Sequence, residues 1–238
     1  MGRKKTYKLL DAYCGAGGAG MGYHLAGFEV TGIDNRPQPN YPFRFMKRDA
    51  LDYIAKYGHK YDVIHASPPC QAYSCSTGQY RKKGKEYPDL LEPTRAVIEG
   101  TKKYGIIENV IQAPMRKDMV LKGYPFGLDV IRARGFEFIG FFLMQPGFPP
   151  KNGSTIQGDY VSVYGNARSK KNKIMKPYKG WVKGEITVLQ SWHNAMGINW
   201  KMTNKELSES IPPKYTEYIG NELMNVINNV NTRHCLIS

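Results

Sequence analysis

The sequence predicts an α/β protein with a doubly wound, mostly parallel sheet, and three observations predict it. Apolar runs of strand length recur along the chain, and helical stretches lie between them. The residues with chemical potential fall just past the ends of those runs, where open α/β sheets hold their ligands.

The runs are YKLLDAY (7–13), FEVTGID (28–34), YDVIHAS (61–67), YGIIENV (104–110) and FEFIGFFLM (136–144). They read as buried strands, near-continuously apolar as strands covered on both faces are. Helices are expected over parts of 19–26, 50–57, 91–103 and 115–121. The third starts near Glu92-Pro93, where the fixed φ of proline suits a first helical turn. From about 145 to 190 the texture changes to Gly, Pro, Ser, Asn and Lys, with Lys151, Arg168, Lys170, Lys171, Lys173, Lys176, Lys179 and Lys183 against Asp159 and Glu185. This stretch reads as a small basic insertion between a domain at 1–144 and a helical segment at 191–238 that returns to it. In that last segment Thr203 can cap a short helix through Glu206, and Pro212-Pro213 precede an amphipathic run at 215–227. There is no internal repeat.

A chain of 238 residues can bury roughly 70–75% of its unfolded surface, enough for a core without covalent staples. Cys14, Cys70, Cys75 and Cys235 form no C-x-x-C pair, which suits a reducing compartment better than a disulfide scaffold or a zinc site. No apolar stretch approaches the roughly 20 residues of a membrane span, and the basic start MGRKKTYKLL lacks a long apolar region behind it. The expectation is a soluble, cytoplasmic, monomeric protein with no membrane and no metal partner. A formal net charge of +14 and a pI near 9.5 point to a polyanionic partner, nucleic acid before membrane.

The first strand runs into DAYCGAGGAGMG (11–22), where Gly15, Gly17, Gly18 and Gly20 permit tight turning and close approach of a ligand at a helix N-terminus. Gly15, Gly17 and Gly20 satisfy G-x-G-x-x-G, a pattern that a dinucleotide oxidoreductase shares. Asp34 ends the next strand, where it could hold a ribose hydroxyl, and Asp49 in KRDAL could receive an adenine amino group. The decisive segment is ASPPCQAYS (66–74), in which two prolines stiffen the turn that presents Cys70. An ordinary thiol is only a few per cent ionised at neutral pH, so a nucleophile here needs nearby positive charge or a helix N-terminus. IIENV (106–110) delivers Glu108 to the same sheet edge, where burial would raise its pKa and suit it to donate a proton. VIRARGFEF (130–138) adds Arg132 and Arg134, which in an extended segment project from one face.

These segments together resemble the DNA (cytosine-5)-methyltransferase family, over most of the chain except the basic insertion. LLDAYCGAGG resembles the family's cofactor loop, with Tyr13 at the position of the aromatic that lies against adenine, and Asp34 and Asp49 resemble its ribose and adenine contacts. PPCQ resembles the nucleophile loop, ENV the Glu-Asn-Val motif, Arg132-Ala133-Arg134 the paired-arginine motif, and Gly220-Asn221 the Gly-Asn motif of the closing helix. The family's arginine motif usually carries Gln two residues ahead of its first arginine, where this chain has Val130, and the target-recognition region is short. The resemblance implies a Rossmann-like fold of the S-adenosylmethionine-dependent methyltransferases. It implies a cofactor pocket from Asp11, Tyr13, Gly15, Gly17, Gly18, Asp34, Asp49, Pro69 and Asn221, and catalysis by Cys70, Glu108 and Arg134. It further implies DNA contacts from Gln71, Arg81, Lys82, Lys83, Arg132, Lys170 and Lys171. The basic run RKKGK (81–85), just beyond Cys70, reads as a mobile flap that closes on the DNA backbone. The short insertion predicts relaxed or very short sequence specificity. Three other readings stay open on sequence: an amino-methyltransferase, whose Ser-Pro-Pro-aromatic loop Ser67-Pro68-Pro69 echoes, a tRNA cytosine-5 methyltransferase, and a DNA-binding protein without turnover.

Overall fold

The computed structural model describes residues 5–74, 77–155, 157–164 and 187–235. A seven-stranded sheet runs in the order β3-β2-β1-β4-β5-β7-β6. Its strands are β1 (Lys8–Ala12), β2 (Glu29–Asp34), β3 (Arg44–Lys47), β4 (Val63–Ala66), β5 (Tyr104–Val110), β6 (Met119–Leu121) and β7 (Arg134–Ile139). The first five are mutually parallel, whereas β7 lies antiparallel between β5 and β6. Helix α1 (Gly18–Leu25) follows β1, α2 (Ala50–Tyr57) follows β3, α3 (Gly78–Arg81) and α4 (Leu91–Gly100) follow β4, and α5 (Val188–Met196), α6 (Asn204–Glu209) and α7 (Pro213–Cys235) close the chain. The doubly wound sheet that the strand pattern predicts is therefore present.

Two differences concern the sheet's far edge. The 115–121 stretch, expected as a helix, instead contributes β6, a three-residue edge strand paired to β7. Met115 and Met119 are spaced as on a helix, yet both are buried in packing around the sheet. The strand expected at 136–144 begins earlier, at Arg134, and ends at Ile139 because Gly140 takes φ +80°. The third strand, RFMK, carries no strand signal in its sequence: it is short, flanked by charge and at an edge, where no second neighbour demands apolar residues.

Alternation along the strands sends side chains to two faces. Leu9, Val30, Val63, Ile106, Phe136 and Phe138 face α1 and α7, where Tyr23, Tyr215, Ile219 and Leu223 complete one core. Leu10, Ile33, Ile64 and Ile107 face α2 and α4, meeting Ile54, Leu91 and Ile98. Each such side chain contributes about 1.5–3 kcal/mol on leaving water. A third cluster gathers Val130, Val163, Trp192, Met196 and Leu207 around α5 and α6. Helices α1 and α7 pack at backbone distance: a Cβ on Gly22 would lie 2.1 Å from the Pro213 carbonyl oxygen, so only glycine fits. Across the other face, buried Glu137 of β7 accepts from Arg95 of α4 through Nε at 2.7 Å and an Nη at 2.8 Å, a fork that fixes helix to sheet.

Candidate active site

The parallel strands end on one edge, and that edge collects the predicted residues. Past β1 the chain reverses through Tyr13 (φ +56°) and Gly15 (φ +49°) to Gly17 (φ +91°), the left-handed N-cap of α1. A left-handed Tyr13 costs strain of order 1 kcal/mol, offset here by its hydroxyl, 3.0 Å from Thr94 Oγ1. Asp34 at the end of β2 accepts from the Gly15 N–H at 3.2 Å and the Arg36 N–H at 2.9 Å, so it shapes the loop as well as facing it. Trp200 holds the loop from above, its indole N–H donating to the Ala16 carbonyl at 2.9 Å. Asp49 caps α2 by accepting from the Asp52 N–H and is exposed.

Asp11 is fully buried beneath this loop. The Tyr41 hydroxyl donates to its Oδ2 at 3.0 Å, whereas Oδ1 has no partner. Burial pushes its carboxyl up to about 8, and the negative Asp34 adds to the shift. The space above Gly15 is open, with nothing within 4 Å of where a Cβ would stand. An orphaned buried carboxylate oxygen, an open glycine turn and the nearby carboxylates of Asp34 and Asp49 suit a cationic, hydroxyl-rich ligand.

The second half of the edge is built on β4, β5 and β7. Pro68 and Pro69 leave β4, and Cys70 follows, half-buried, its carbonyl closing a turn by accepting from the N–H groups of Tyr73 and Ser74 at 3.0 and 2.8 Å. The buried Asn109 side chain donates from Nδ2 to the Pro68 carbonyl at 2.9 Å and accepts from the Val110 N–H at 2.9 Å, tying the cysteine loop to β5. Glu108, the residue before it, is buried and meets Arg134 Nε at 3.0 Å. Burial raises the Glu108 carboxyl, Arg134 opposing, and the Ser67 hydroxyl lies within hydrogen-bonding reach. Burial likewise pushes the Cys70 thiol up and the Glu108 charge adds to it, while Arg134 and Arg132 pull it down. The structure thus brings Cys70, Glu108 and Arg134 into one electrostatic unit.

Other predicted residues are placed differently. Arg132 does not share a face with Arg134: it precedes the strand with φ +32°, and its guanidinium donates to the carbonyls of Ser208, Ser210 and Val163 at 2.7, 2.8 and 2.7 Å. Each of its three nitrogens thereby donates to backbone, which turns the group toward the protein rather than toward a DNA phosphate. Arg81 is also engaged, donating to the carbonyls of Gln71 and Ser74 at 2.8 and 2.9 Å and to Thr77 Oγ1 at 2.6 Å, so it braces the cysteine loop rather than projecting from it. Lys82 and Lys83 are exposed, and the Gln71 side chain is half-exposed. Pro69 is half-buried beside Cys70. Lys170 and Lys171 lie outside the described residues. Asn221 is exposed on α7, and Gly220 packs at the far end of α1, where a Cβ would come 2.7 Å from Ala26 Cβ. The segment that abuts the glycine loop is instead Ser210-Ile211, whose backbone crosses Gly18. The sequence reading missed His65 and Tyr23, which sit behind Glu108. A histidine inside the apolar run VIHA was the available signal.

No family model matches the chain. It is similar to the type II methyltransferase M.FnuDI of Fusobacterium nucleatum, 31% identical over 114 residues that cover 43% of this chain and 32% of that protein. It is also similar to M.HgiDI of Herpetosiphon aurantiacus, 32% identical over 122 residues that cover 46% of this chain and 39% of the relative. The matches thus span between about a third and two fifths of these relatives' length. Among solved structures it is similar to a candidate DNA modification methyltransferase encoded within an E. coli prophage, with TM-score 0.63, 15% identity and coverage of 94% of this chain and 100% of that one. The Dnmt2 methyltransferase of S. pombe is similar at TM-score 0.55 and 16% identity, covering 94% of this chain and 100% of that one. At these identities the likeness is one of fold: the chain has the Rossmann-like fold of these methyltransferase structures.

Proposed function

We propose that the chain is a DNA (cytosine-5)-methyltransferase that uses S-adenosylmethionine and a covalent bond from Cys70. The observation that carries this is the cluster of Cys70, Glu108 and Arg134 at the sheet edge, with Asn109 fastening the cysteine loop to the strand that bears the acid. The similarity to type II methyltransferases and to methyltransferase folds supports DNA as substrate, as does the charge of +14.

Asp11, Tyr13, Gly15, Gly17, Gly18, Asp34, Asp49 and Pro69 are the residues that would hold S-adenosylmethionine. When bound it supplies a positively charged sulfonium whose methyl group a nucleophilic carbon can take. A cytosine swung out of the duplex, at a cost of a few kcal/mol, would enter between this loop and the cysteine turn. Cys70 adds through sulfur to carbon 6, and Glu108 donates its proton to ring nitrogen 3, so the electron pair reaches carbon 5 as in an enamine. Buried Glu108 is suited to this because burial raises its pKa and so favours the protonated, donating form. Its neutralisation also withdraws the negative charge that holds the Cys70 thiol protonated, so the acid's protonation and the nucleophile's ionisation favour each other. Arg134 holds Glu108 in place and presents positive charge to the base carbonyl. Once carbon 5 carries the methyl group, loss of its proton to solvent and expulsion of the thiolate, with nitrogen 3 returning its proton to Glu108, restore the enzyme.

The test is a duplex bearing 5-fluorocytosine, incubated with the protein and S-adenosylmethionine. Because fluorine cannot leave as a cation, the adduct at Cys70 should persist and appear as a cross-linked mass that Cys70→Ser lacks. Robust methyl transfer to ordinary DNA with no adduct would overturn the covalent mechanism. Mass spectrometry of the methylated nucleoside separates carbon 5 from exocyclic nitrogen products, and competing tRNA against DNA identifies the substrate.

A further inference from the structure

Behind Glu108 lies a line of buried polar groups that the mechanism leaves unused. Ala66 pairs with Ile107 in the β4–β5 ladder, so the next residues, Ser67 and Glu108, stand side by side. Strand alternation sends His65, Ser67 and Glu108 to the face covered by α1, from which Tyr23 reaches down. The Tyr23 hydroxyl is 3.0 Å from His65 Nδ1, and His65 Nε2 is 2.9 Å from Ser67 Oγ. Ser67 in turn reaches the Glu108 carboxylate. Tyr23 and His65 are wholly inaccessible to solvent.

Packing alone does not explain a histidine here. Its strand neighbours Ile64 and Ala66 are apolar, and a residue of that kind would avoid the desolvation of an imidazole. Burial lowers His65 to about 3, so the ring is neutral, with one donor and one acceptor nitrogen. Only two directions of the line are then possible. In one, Tyr23 donates to Nδ1, Nε2–H donates to Ser67 and Ser67 donates to Glu108. In the other, Nδ1–H donates to Tyr23, Ser67 donates to Nε2, and Glu108 can meet Ser67 only by giving it the proton. The second direction turns the acid's proton inward, away from any substrate.

We propose that His65, backed by Tyr23, is a positioning residue that holds the Ser67 hydroxyl as a donor to Glu108, so that the acid's own proton is presented on the open side of the site. The inference rests on the proposed role of Glu108 as proton donor, but its test does not. In full-length protein labelled with 13C-glutamate, infrared titration follows the Glu108 carboxyl, identified by its loss in Glu108→Gln. A donor to the carboxylate lowers its pKa, so Ser67→Ala should move the Glu108 midpoint upward. His65→Leu, which leaves Ser67 unheld, should shift it in the same sense, and His65→Gln, which keeps a side-chain N–H, should shift it less. Methyl transfer should follow, with kcat about tenfold lower or more in Ser67→Ala and His65→Leu and KM for DNA unchanged. A Glu108 midpoint unmoved in both Ser67→Ala and His65→Leu would overturn the proposal, as would an equal shift in His65→Gln and His65→Leu. This titration pattern across the variants, with no methyl transfer by the wild type, would sink the proposed function and leave the positioning line standing.

Discussion

Charge at this site is conditional, and Asp11 and His65 make it measurable in the free protein. Asp11 is held up to about 8 by burial, far above its range in an unfolded chain near 4. Between those values the folded state binds the extra proton, so stability falls as pH rises from about 4 to about 8. Asp11→Asn should flatten that slope, read as urea midpoints at pH 5 and pH 8 that differ less than in the wild type. His65 works in the opposite sense: lowered to about 3 from an unfolded value near 6.5, it withdraws stability as pH falls through that window, and His65→Leu should remove this part of acid unfolding. Cys70 offers a third reading. Because the Glu108 charge raises the thiol, Glu108→Gln should lower its ionisation midpoint and speed alkylation by iodoacetamide at pH 8. The same variant should cut kcat by about 100-fold or more without raising KM for DNA, since the lost proton transfer occurs only in the transition state. Equal alkylation rates in the two proteins would show that the cysteine and the glutamate are electrostatically independent.

The elements follow the sequence where periodicity was strong and depart from it where packing or pairing decided. Strands β1, β2, β4 and β5 and helices α1, α2 and α4 lie where apolar runs and their spacers put them, because burial on both faces of a parallel sheet writes itself into composition. The edge strands β3 and β6 do not, being three or four residues long with half their hydrogen bonds missing by design of the edge. Nor does the antiparallel direction of β7 show in its residues. At the site, Cys70, Glu108 and Arg134 were legible because each lies in or just beside a recognisable apolar run, whereas the Arg132 clamp was not, since its partners are backbone carbonyls some 30 to 80 residues away. That clamp yields an element-scale prediction. Arg132→Ala would leave three carbonyls without their donor and free the crossing of the 208–210 segment under the glycine loop, at a cost of about 3 kcal/mol. Lysine cannot fork to three acceptors and should restore little of it. Thermal unfolding checks both, and a loss below about 0.5 kcal/mol for the alanine variant would mean that α6 and α7 are seated without this arginine.

At the scale of the whole molecule, the charge of +14 is unevenly used. The carboxylates of Asp34 and Asp49 gather at one half of the active edge, among an otherwise basic chain, which suits the cationic methyl donor of the proposed function. Arg81 and Arg132, two of the cations expected to meet DNA, are absorbed by the fold. Under the proposed function the phosphate contacts then fall to exposed lysines, among them Lys82 and Lys83, and to the basic stretch at 145–190, half of which lies outside the described residues. Each phosphate neutralised by such a lysine adds about 0.9 to the slope of log affinity against log salt. Replacing Lys170 and Lys171 together by alanine should therefore lower that slope by about 1.8 and weaken binding of unrelated duplexes equally, because phosphate contacts carry no base information. Arg81→Ala and Arg132→Ala should leave the slope in place while disturbing catalysis or stability. Fluorescence anisotropy across a salt series, on two duplexes of different sequence, distinguishes the two groups. A slope unchanged by the lysine pair would move the DNA-binding surface away from the insertion and onto the loop that follows Cys70.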